Sequence, residues 1–318
     1  MRKIVTTALA CTALLASAGS ASAWPDRAVR FIVSLGAGSG VDITARLFAD
    51  SLSKKWGQAV VVENRPGGDG IVAINAFIGA SDDHVLLFTP TGAFSAHPYQ
   101  MDKVPYDPAA LAPIARVTNT IVAFAVPTSL GLNSMKDLLD KVKTEPGKLN
   151  WASATTTNEF LFQGYLKETG LDMAKVPYRD TVSAINDLAE GRIQMYVGAY
   201  AIMRPQLQTG KIKVLAVTNG ERAKGAPEIP TVAEAGFPKL KFDGLVGIFG
   251  PTKMPADLRN KIAADVAQSA AEPEIVTRLI ATGQNVSPGT PQDFAKASDD
   301  QRVQVDGVAK LLGLKKAQ

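Results

Sequence analysis

The sequence has almost none of the residues that build metal sites and disulfides. Its 318 residues include one cysteine and two histidines, too few for a zinc site of the Cys/His type. The single cysteine, Cys11, lies in a leader that we expect to be removed, so the mature chain needs no disulfide even in an oxidising compartment. The sequence therefore predicts no zinc site of this type, and we name no residue as a metal ligand.

An excess of either charge is also missing. The chain has 34 basic and 30 acidic residues, and loss of Arg2 and Lys3 with the leader leaves 32 basic ones. This near balance gives no reason to expect nucleic acid or an anionic membrane surface as a partner. A hydrophobic share of 46% excludes a disordered chain, and the length favours about two globular domains.

Residues 1–23 have the order of parts typical of a secretory signal peptide. Arg2 and Lys3 precede an apolar run over residues 4–18, and Ala21-Ser22-Ala23 offers small residues for cleavage before Trp24. The alternative is an N-terminal membrane anchor, but the run is shorter than the roughly 20 apolar residues that span a bilayer. We expect export and cleavage.

Hydrophobic periodicity predicts two α/β domains. A buried strand at 29–35, a glycine-rich loop, a helix at 42–56 and a strand at 60–62 form a β-α-β unit, which implies a parallel sheet. A second series of strands begins at 149–153 and includes one at 176–178. We expect each domain to be a mainly parallel sheet flanked by helices.

A predicted strand at 245–249 returns the chain to its first half, and helices follow near 256–270, 274–282 and 291–312. We therefore expect domain 1 to contain residues 24–124 and 239–318, and domain 2 to contain residues 125–238.

Two loops at carboxyl ends of strands are the predicted ligand-binding elements. Residues 35–42 and 153–158 each precede a helix, whose first N–H groups and dipole attract anions. Facing each other across a cleft, the two loops would clamp a small acid. The alternatives are a plain tight turn at the glycines and a simple N-cap at Asn158.

The candidate ligand-binding residues share these loops or neighbouring strand ends. They are Leu35, Gly36, Ala37, Gly38, Ser39, Asp42, Thr91, Phe94, Ser153, Thr155, Thr156, Thr157, Asn158, Asp180 and Gly198. Phe94 and Tyr200 have core packing as an alternative role, and Asp180 has helix capping.

Motifs of enzymes are incomplete. The GAGSGV segment lacks the third glycine of a dinucleotide fingerprint, and Ser39 lacks the G-x-S-x-G elbow of hydrolases. His84 and His97 are the histidines open to a catalytic triad, and we expect both to be surface or loop residues. No catalytic residue is predicted, and a hydrolase is the least favoured alternative.

Five blocks of sequence resemble, in order, those of the Bug/TctC family. They are VVENRPGG at 61–68, the PYDP and LAPI segments within 105–114, GKLNWAS at 147–153, VPY at 176–178, and a block at 210–236 that ends in PTVAEAG. The family comprises periplasmic solute-binding receptors of tripartite tricarboxylate transporters.

This resemblance implies a Venus-flytrap fold that closes on a small carboxylate and delivers it to membrane permease subunits. It implies a periplasmic protein without cofactor, and we expect a monomer. The alternative in another class is a ligand-sensing subunit for a membrane signalling kinase.

Departures from the family pattern affect the expected ligand. Leu35 replaces an aromatic residue, and Gly198-Ala199 replaces an Asp-Asn pair. If Asp42, Glu159 and Asp180 all approach the cleft, they would repel a dicarboxylate, so we hypothesise a monocarboxylate with a donor group for Asp42. The alternatives are a solvated Glu159 at a helix start and a capping role for Asp180.

Overall fold

The computed structural model describes residues 24–153, 156–178 and 180–317. The predicted leader, with Cys11, lies outside these residues. The fold is mixed α/β, with two sheets flanked by helices, which confirms the predicted fold class.

The strands in chain order are β1 Val29–Val33, β2 Val60–Asn64, β3 Val85–Pro90, β4 Leu111–Thr120, β5 Val122–Pro127, β6 Asn150–Ser153, β7 Ala174–Lys175, β8 Met195–Ala199, β9 Ile212–Val217, β10 Gly244–Pro251 and β11 Gln284–Gly289. The α-helices are α1 Gly40–Trp56, α2 Ile71–Ala80, α3 Gly92–Ala96, α4 Met135–Thr144, α5 Thr156–Thr169, α6 Thr181–Ala189, α7 Tyr200–Gln208, α8 Ala256–Ala270, α9 Pro273–Ala281 and α10 Pro291–Leu312.

Both sheets combine parallel and antiparallel strands, so the expectation of mainly parallel sheets was wrong. The first has the order β11-β4-β10-β3-β1-β2, and the second has the order β7-β6-β8-β5-β9. In the first sheet β1 pairs in parallel with β2 and β3, and in the second β6 pairs in parallel with β7 and β8. The remaining pairings are antiparallel, because β5, β10 and β11 begin at the sheet edge where their partner strands end.

Each sheet is buried on both faces, which explains its apolar strands. In β1, Phe31 and Val33 pack into the core under α1, α8 and α9, whereas Ile32 faces the core under α2. In the second sheet, Trp151 packs edge-on against Phe162 of α5 with ring centroids 4.9 Å apart.

The chain passes between the sheets at Ile121 and again within residues 218–243. The two crossings are adjacent, because Asn219 accepts a hydrogen bond from the Val122 N–H at 3.0 Å and donates one to the Thr120 carbonyl at 2.9 Å. The predicted division after residue 124 passes through β5. The domain limits remain a prediction, and the first change of sheet lies at Ile121.

Several elements differ from the sequence-based expectation. β4, β11 and α7 were not predicted, and the strand expected at 176–178 is the two-residue β7 just before it. In β4, Pro113 and two register shifts against β10 interrupt the period-two pattern that identifies a strand. In α7, the internal Pro205 is a residue that usually interrupts a helix, so the sequence pattern did not predict one there.

No helix within the described ranges is both long enough and apolar enough to cross a membrane.

Candidate functional site

The carboxyl ends of the two sheets lie opposite each other across the junction of the domains. The start of α3, after β3, lies against the start of α5, after β6: a Cβ added to Gly92 would be 3.0 Å from the Thr157 hydroxyl oxygen. Near the crossings, a Cβ on Gly283 would be 3.2 Å from that of Ala201 in α7. The two predicted loops leave the strands at these edges. We call the space between the two edges the interdomain gap.

The first loop presents the start of α1 to solvent. Ala37 and Gly38 are exposed, and Gly38 has φ +82°, a conformation that favours glycine. Ser39 is the N-cap, and its hydroxyl accepts from the Asp42 N–H at 3.2 Å. Helix geometry gives the N–H groups of Gly40 and Val41 no intrahelical acceptor, so they are the donors that this loop offers to an anion.

Asp42 lies beneath this loop and is only 2% exposed. Its carboxylate accepts from the Gly38 N–H and the Asn64 side chain, both at 2.8 Å, and from the Arg46 Nε–H at 3.2 Å. Burial alone would raise the pKa of Asp42, but these donors outweigh it and hold the pKa below its ordinary value. The carboxylate thus supports the loop, and a ligand would have to displace a protein donor to reach it.

The ENRPG segment completes this support. Asn64 also donates to the Leu35 carbonyl at 3.0 Å, and the Arg65 N–H donates to the Val33 carbonyl at 2.8 Å. Sequence reasoning treated the segment only as a family signature. The parallel register that sets Asn64 opposite Val33 was the signal that could have linked it to the loop.

The second predicted loop is shorter than expected. The helix expected from Glu159 begins at Thr156, so Thr157 and Asn158 lie in the first turn of α5 and are nearly buried. Asn158 is therefore inside the helix and is not its N-cap. Ser153 is buried at the end of β6. Thr155 lies outside the described residues, and Thr156 is described by its backbone alone.

The acidic side chains near the gap have protein partners. Glu159 forms an ion pair with Lys175. Asp180 is the exposed N-cap of α6 and accepts from the N–H and the hydroxyl of Ser183, both at 2.8 Å, which lowers the pKa of Asp180. With Asp42 committed to its loop as well, this geometry gives no support to the idea that three free carboxylates repel a dicarboxylate.

Thr91 and Phe94 are held by the first domain. The Thr91 hydroxyl donates to the Gln301 side-chain carbonyl at 2.5 Å, and the residue is 1% exposed. Phe94 is partly buried and lies edge-on to Phe249, with centroids 5.3 Å apart.

Gly198 lies under a side chain that sequence reasoning missed. A Cβ at Gly198 would be 2.6 Å from Cε1 of Tyr196 and 2.7 Å from its hydroxyl oxygen. Gly198 thus provides space for the tyrosine ring. The sequence did contain a signal for this contact, because Tyr196 and Gly198 are two residues apart and therefore lie on the same face of β8.

The two histidines were expected to be surface or loop residues. His84 lies in a turn, as a loop residue would, but both side chains are buried and neither lies on the surface. His84 lies before β3, at the amino-terminal edge of the sheet, with Nδ1 2.7 Å from Asp83. His97 is fully buried and bonded to the Tyr106 hydroxyl at 2.7 Å and to the Asp69 carbonyl at 3.2 Å. Neither histidine has a nucleophile as a partner among these contacts.

A pocket of about 690 Å³ opens at that amino-terminal edge, away from the gap. Asp82, Asp83 and His84 bring metal-ligand atoms within 4.8 Å of one another there, but Arg27 binds Asp82 at 2.9 Å. Exposed acidic groups are common without a metal, and Arg27 already supplies a positive charge. We assign no metal to this cluster.

Two α/β domains with adjacent crossings, and with helix starts on both sides of the gap, define a two-domain solute-binding protein. The chain belongs to the family of tripartite tricarboxylate transporter receptors, TctC, whose sequence model matches residues 44–314. This confirms the predicted family.

Individual relatives agree with this assignment. A UPF0065 protein from Pseudomonas sp. strain P51, described as lying in the tcbD-tcbE intergenic region, is 31% identical over 298 residues, which is 91% of this chain and 87% of the relative. The R. palustris protein Rpa4515, solved with adipate, is 26% identical with a TM-score of 0.78, over 92% of this chain and 99% of that one. The periplasmic binding protein BugD is 25% identical with a TM-score of 0.74, over 92% and 100%.

Proposed function

We propose that this protein is a periplasmic receptor that captures a small carboxylate-containing metabolite in the interdomain gap and delivers it to membrane permease subunits of a tripartite tricarboxylate transporter. The observation that supports the proposal most is the contact between the two carboxyl-terminal sheet edges, where Gly92 lies against Thr157 in the first turn of α5. The start of α1 leaves the same edge of the first sheet as α3 does, and we infer that it faces the solute from that side. Adipate in the similar R. palustris protein supports a carboxylate as the ligand class.

Capture would combine backbone donors with domain closure. The N–H groups of Gly40 and Val41 would bind the anion from the first domain, and the first turn of α5 would contribute the helix dipole and the Thr157 hydroxyl from the second. Only the closed arrangement touches the solute from both sides, so binding shifts the population towards closure. The closed, monomeric receptor is then what the permease recognises.

This function requires no reaction on the solute. The predicted leader would export the protein to the periplasm, where the gap meets the solute and the permease.

The first experiment identifies the solute. We expect native mass spectrometry of freshly purified protein to show a carboxylate that leaves on mild unfolding. Isothermal titration of the stripped, refolded protein with that compound, and with malate, adipate and citrate, should then give saturable binding. Absence of binding by every carboxylate would refute the proposed ligand class.

A matched pair of variants then locates the site. Gly38 and Gly210 both have positive φ and open space around the position of an added Cβ, so alanine at either costs about 1 kcal/mol of backbone strain. Gly38→Ala should lose affinity in the titration, whereas Gly210→Ala should lose only stability. Equal affinity in the two variants would place the ligand away from the first loop.

A further inference from the structure

The second domain contains a buried phenol without a partner. Tyr196 is fully buried, and its hydroxyl has no hydrogen-bond partner within the described structure. Leaving a buried polar group unpaired costs about 1–3 kcal/mol, and the great majority of such groups in folded proteins are paired. This hydroxyl therefore needs an explanation.

The ring points along β8 towards the gap. The hydroxyl lies 2.7 Å from the position of a Cβ on Gly198, two residues closer to the carboxyl end of the strand than Tyr196 itself. Val197 pairs with Ser153, the last residue of β6. The hydroxyl therefore lies one residue beyond the end of β6, at the edge where the chain leaves towards α5.

That edge borders the first domain. The strand ends at Ala199, and the next N–H, of Tyr200, donates to the carbonyl of the crossing residue Ile121 at 2.8 Å. Ile121 in turn donates to the Gly283 carbonyl of the first domain at 2.9 Å. The phenol hydroxyl thus lies near the carboxyl-terminal edge of the second sheet, and this is the edge closest to the crossings.

Among the described residues, no side chain forms a hydrogen bond with this hydroxyl. The same core cluster contributes Ala123, Ala152 and Ala184, which are small and apolar. Gly198 leaves room for the ring, and the buried residues of the cluster are otherwise apolar, so the hydroxyl has no hydrogen-bond acceptor among the described residues.

We propose that Tyr196 is a specificity-determining residue, whose hydroxyl donates a hydrogen bond to an oxygen of the solute held in the interdomain gap. The inference rests on the proposed function and names one donor of its binding site. Burial raises the pKa of Tyr196, so the phenol stays protonated and acts as a donor. A site with such a donor discriminates against solutes that lack a matching acceptor, because the donor would then remain unpaired.

The test uses Tyr196→Phe, which keeps the ring and removes the hydroxyl. The urea midpoint of the solute-free protein should stay the same or rise, because an unpaired buried group is lost. The affinity of the best-binding compound among malate, adipate and citrate should fall roughly tenfold or more, as expected for a donor to a charged oxygen. Replacement of a tyrosine with a merely structural role would not lower the affinity while leaving the stability of the solute-free protein unchanged or raised.

Tyr165→Phe is the matched control, because this tyrosine of α5 stacks on Phe162 in the other core of the same domain. It should bind every compound as the wild type does. Gly198→Ala, whose Cβ would push the ring aside, should weaken binding as Tyr196→Phe does.

The outcomes separate the two proposals. If the wild type binds a carboxylate and Tyr196→Phe binds it equally well, the role of Tyr196 is refuted and the receptor function stands. If the wild type binds neither malate, adipate nor citrate, and native mass spectrometry finds no carboxylate on the freshly purified protein, the receptor function fails. The role of Tyr196 then fails with it.

Discussion

Replacement of Asp42 by asparagine tests whether this carboxylate supports the loop or contacts the ligand. Both of its oxygens accept from N–H donors, one from Gly38 and one from Asn64, each at 2.8 Å. An asparagine amide must point its NH₂ group at one of these donors, so one bond becomes a repulsive contact and the charge is lost. Hydrogen bonds to charged groups contribute about 1.5–3 kcal/mol each, and the half-exposed Arg46 adds less. We expect the free energy of unfolding to fall by about 2–4 kcal/mol.

Urea unfolding measures this loss, and isothermal titration measures its effect on binding. The matched control is Asp50→Asn, an exposed position on the same helix, which should change stability by less than about 0.5 kcal/mol. Because the first loop is supported by Asp42, affinity should fall for every carboxylate and not for one class.

The pH dependence gives an independent check. The folded-state pKa of Asp42 lies below its ordinary value near 3.8, so its contribution is present above that pH and is lost as the pH falls through the lowered folded pKa. The variant should lack this part of acid destabilisation. The opposite result would be that Asp42→Asn has the same urea midpoint as Asp50→Asn and changes only the preference among ligands. The supporting role would then be wrong, and direct contact with the ligand would be right.

Two further variants test the closure and the buried histidine. Gly92→Val should clash with Thr157 across the gap and hold the domains apart. We expect titration to show a several-fold weaker solute affinity and X-ray scattering to show a larger radius of gyration. Gly79→Val, on an exposed helix position with open space, is its control, and unchanged affinity in Gly92→Val would refute closure at this contact. Burial lowers the pKa of His97 below its ordinary 6.5, so the folded state binds fewer protons and the free energy of unfolding should fall as pH drops below about 6.5. His97→Gln should flatten that part of the urea-midpoint profile between pH 7.5 and 5, and an unchanged slope would contradict the assignment.

Local periodicity was sufficient for the elements whose burial is regular. The β-α-β unit from Val29 to Asn64 follows from a continuous apolar run, a glycine-rich turn and a helical repeat, and the position of the first loop follows from it. β4 was not predicted, because Pro113 and two irregular pairings interrupt its pattern and depend on its partner β10, which is more than 120 residues away along the chain. The mixed direction of the strands has the same cause, since local sequence does not record where the chain crosses between sheets.

The candidate site shows the same division. The glycines of the first loop and the start of α1 could be found from residue types, but the start of α5 was expected three residues too late. The destination of each side chain could not be found in this way. Asp42 and Asp180 looked available to a ligand, and the structure shows them bonded to backbone and side-chain donors. Tyr196 was not among the predicted site residues, because local sequence records neither its full burial nor the lack of a hydrogen-bond partner for its hydroxyl within the described residues.

The support of the first loop by Asp42 and Asn64 has a practical consequence for engineering. Because the backbone of residues 36–39 is secured from below, the exposed side chains of Leu35 and Ala37 can be varied without disturbing the donors at the start of α1. A library of variants at Leu35, Ala37 and Tyr196 would alter which solute the protein recognises, while the N–H donors at the start of α1 stay in place to bind a carboxylate. A scaffold for metabolite biosensors needs this combination.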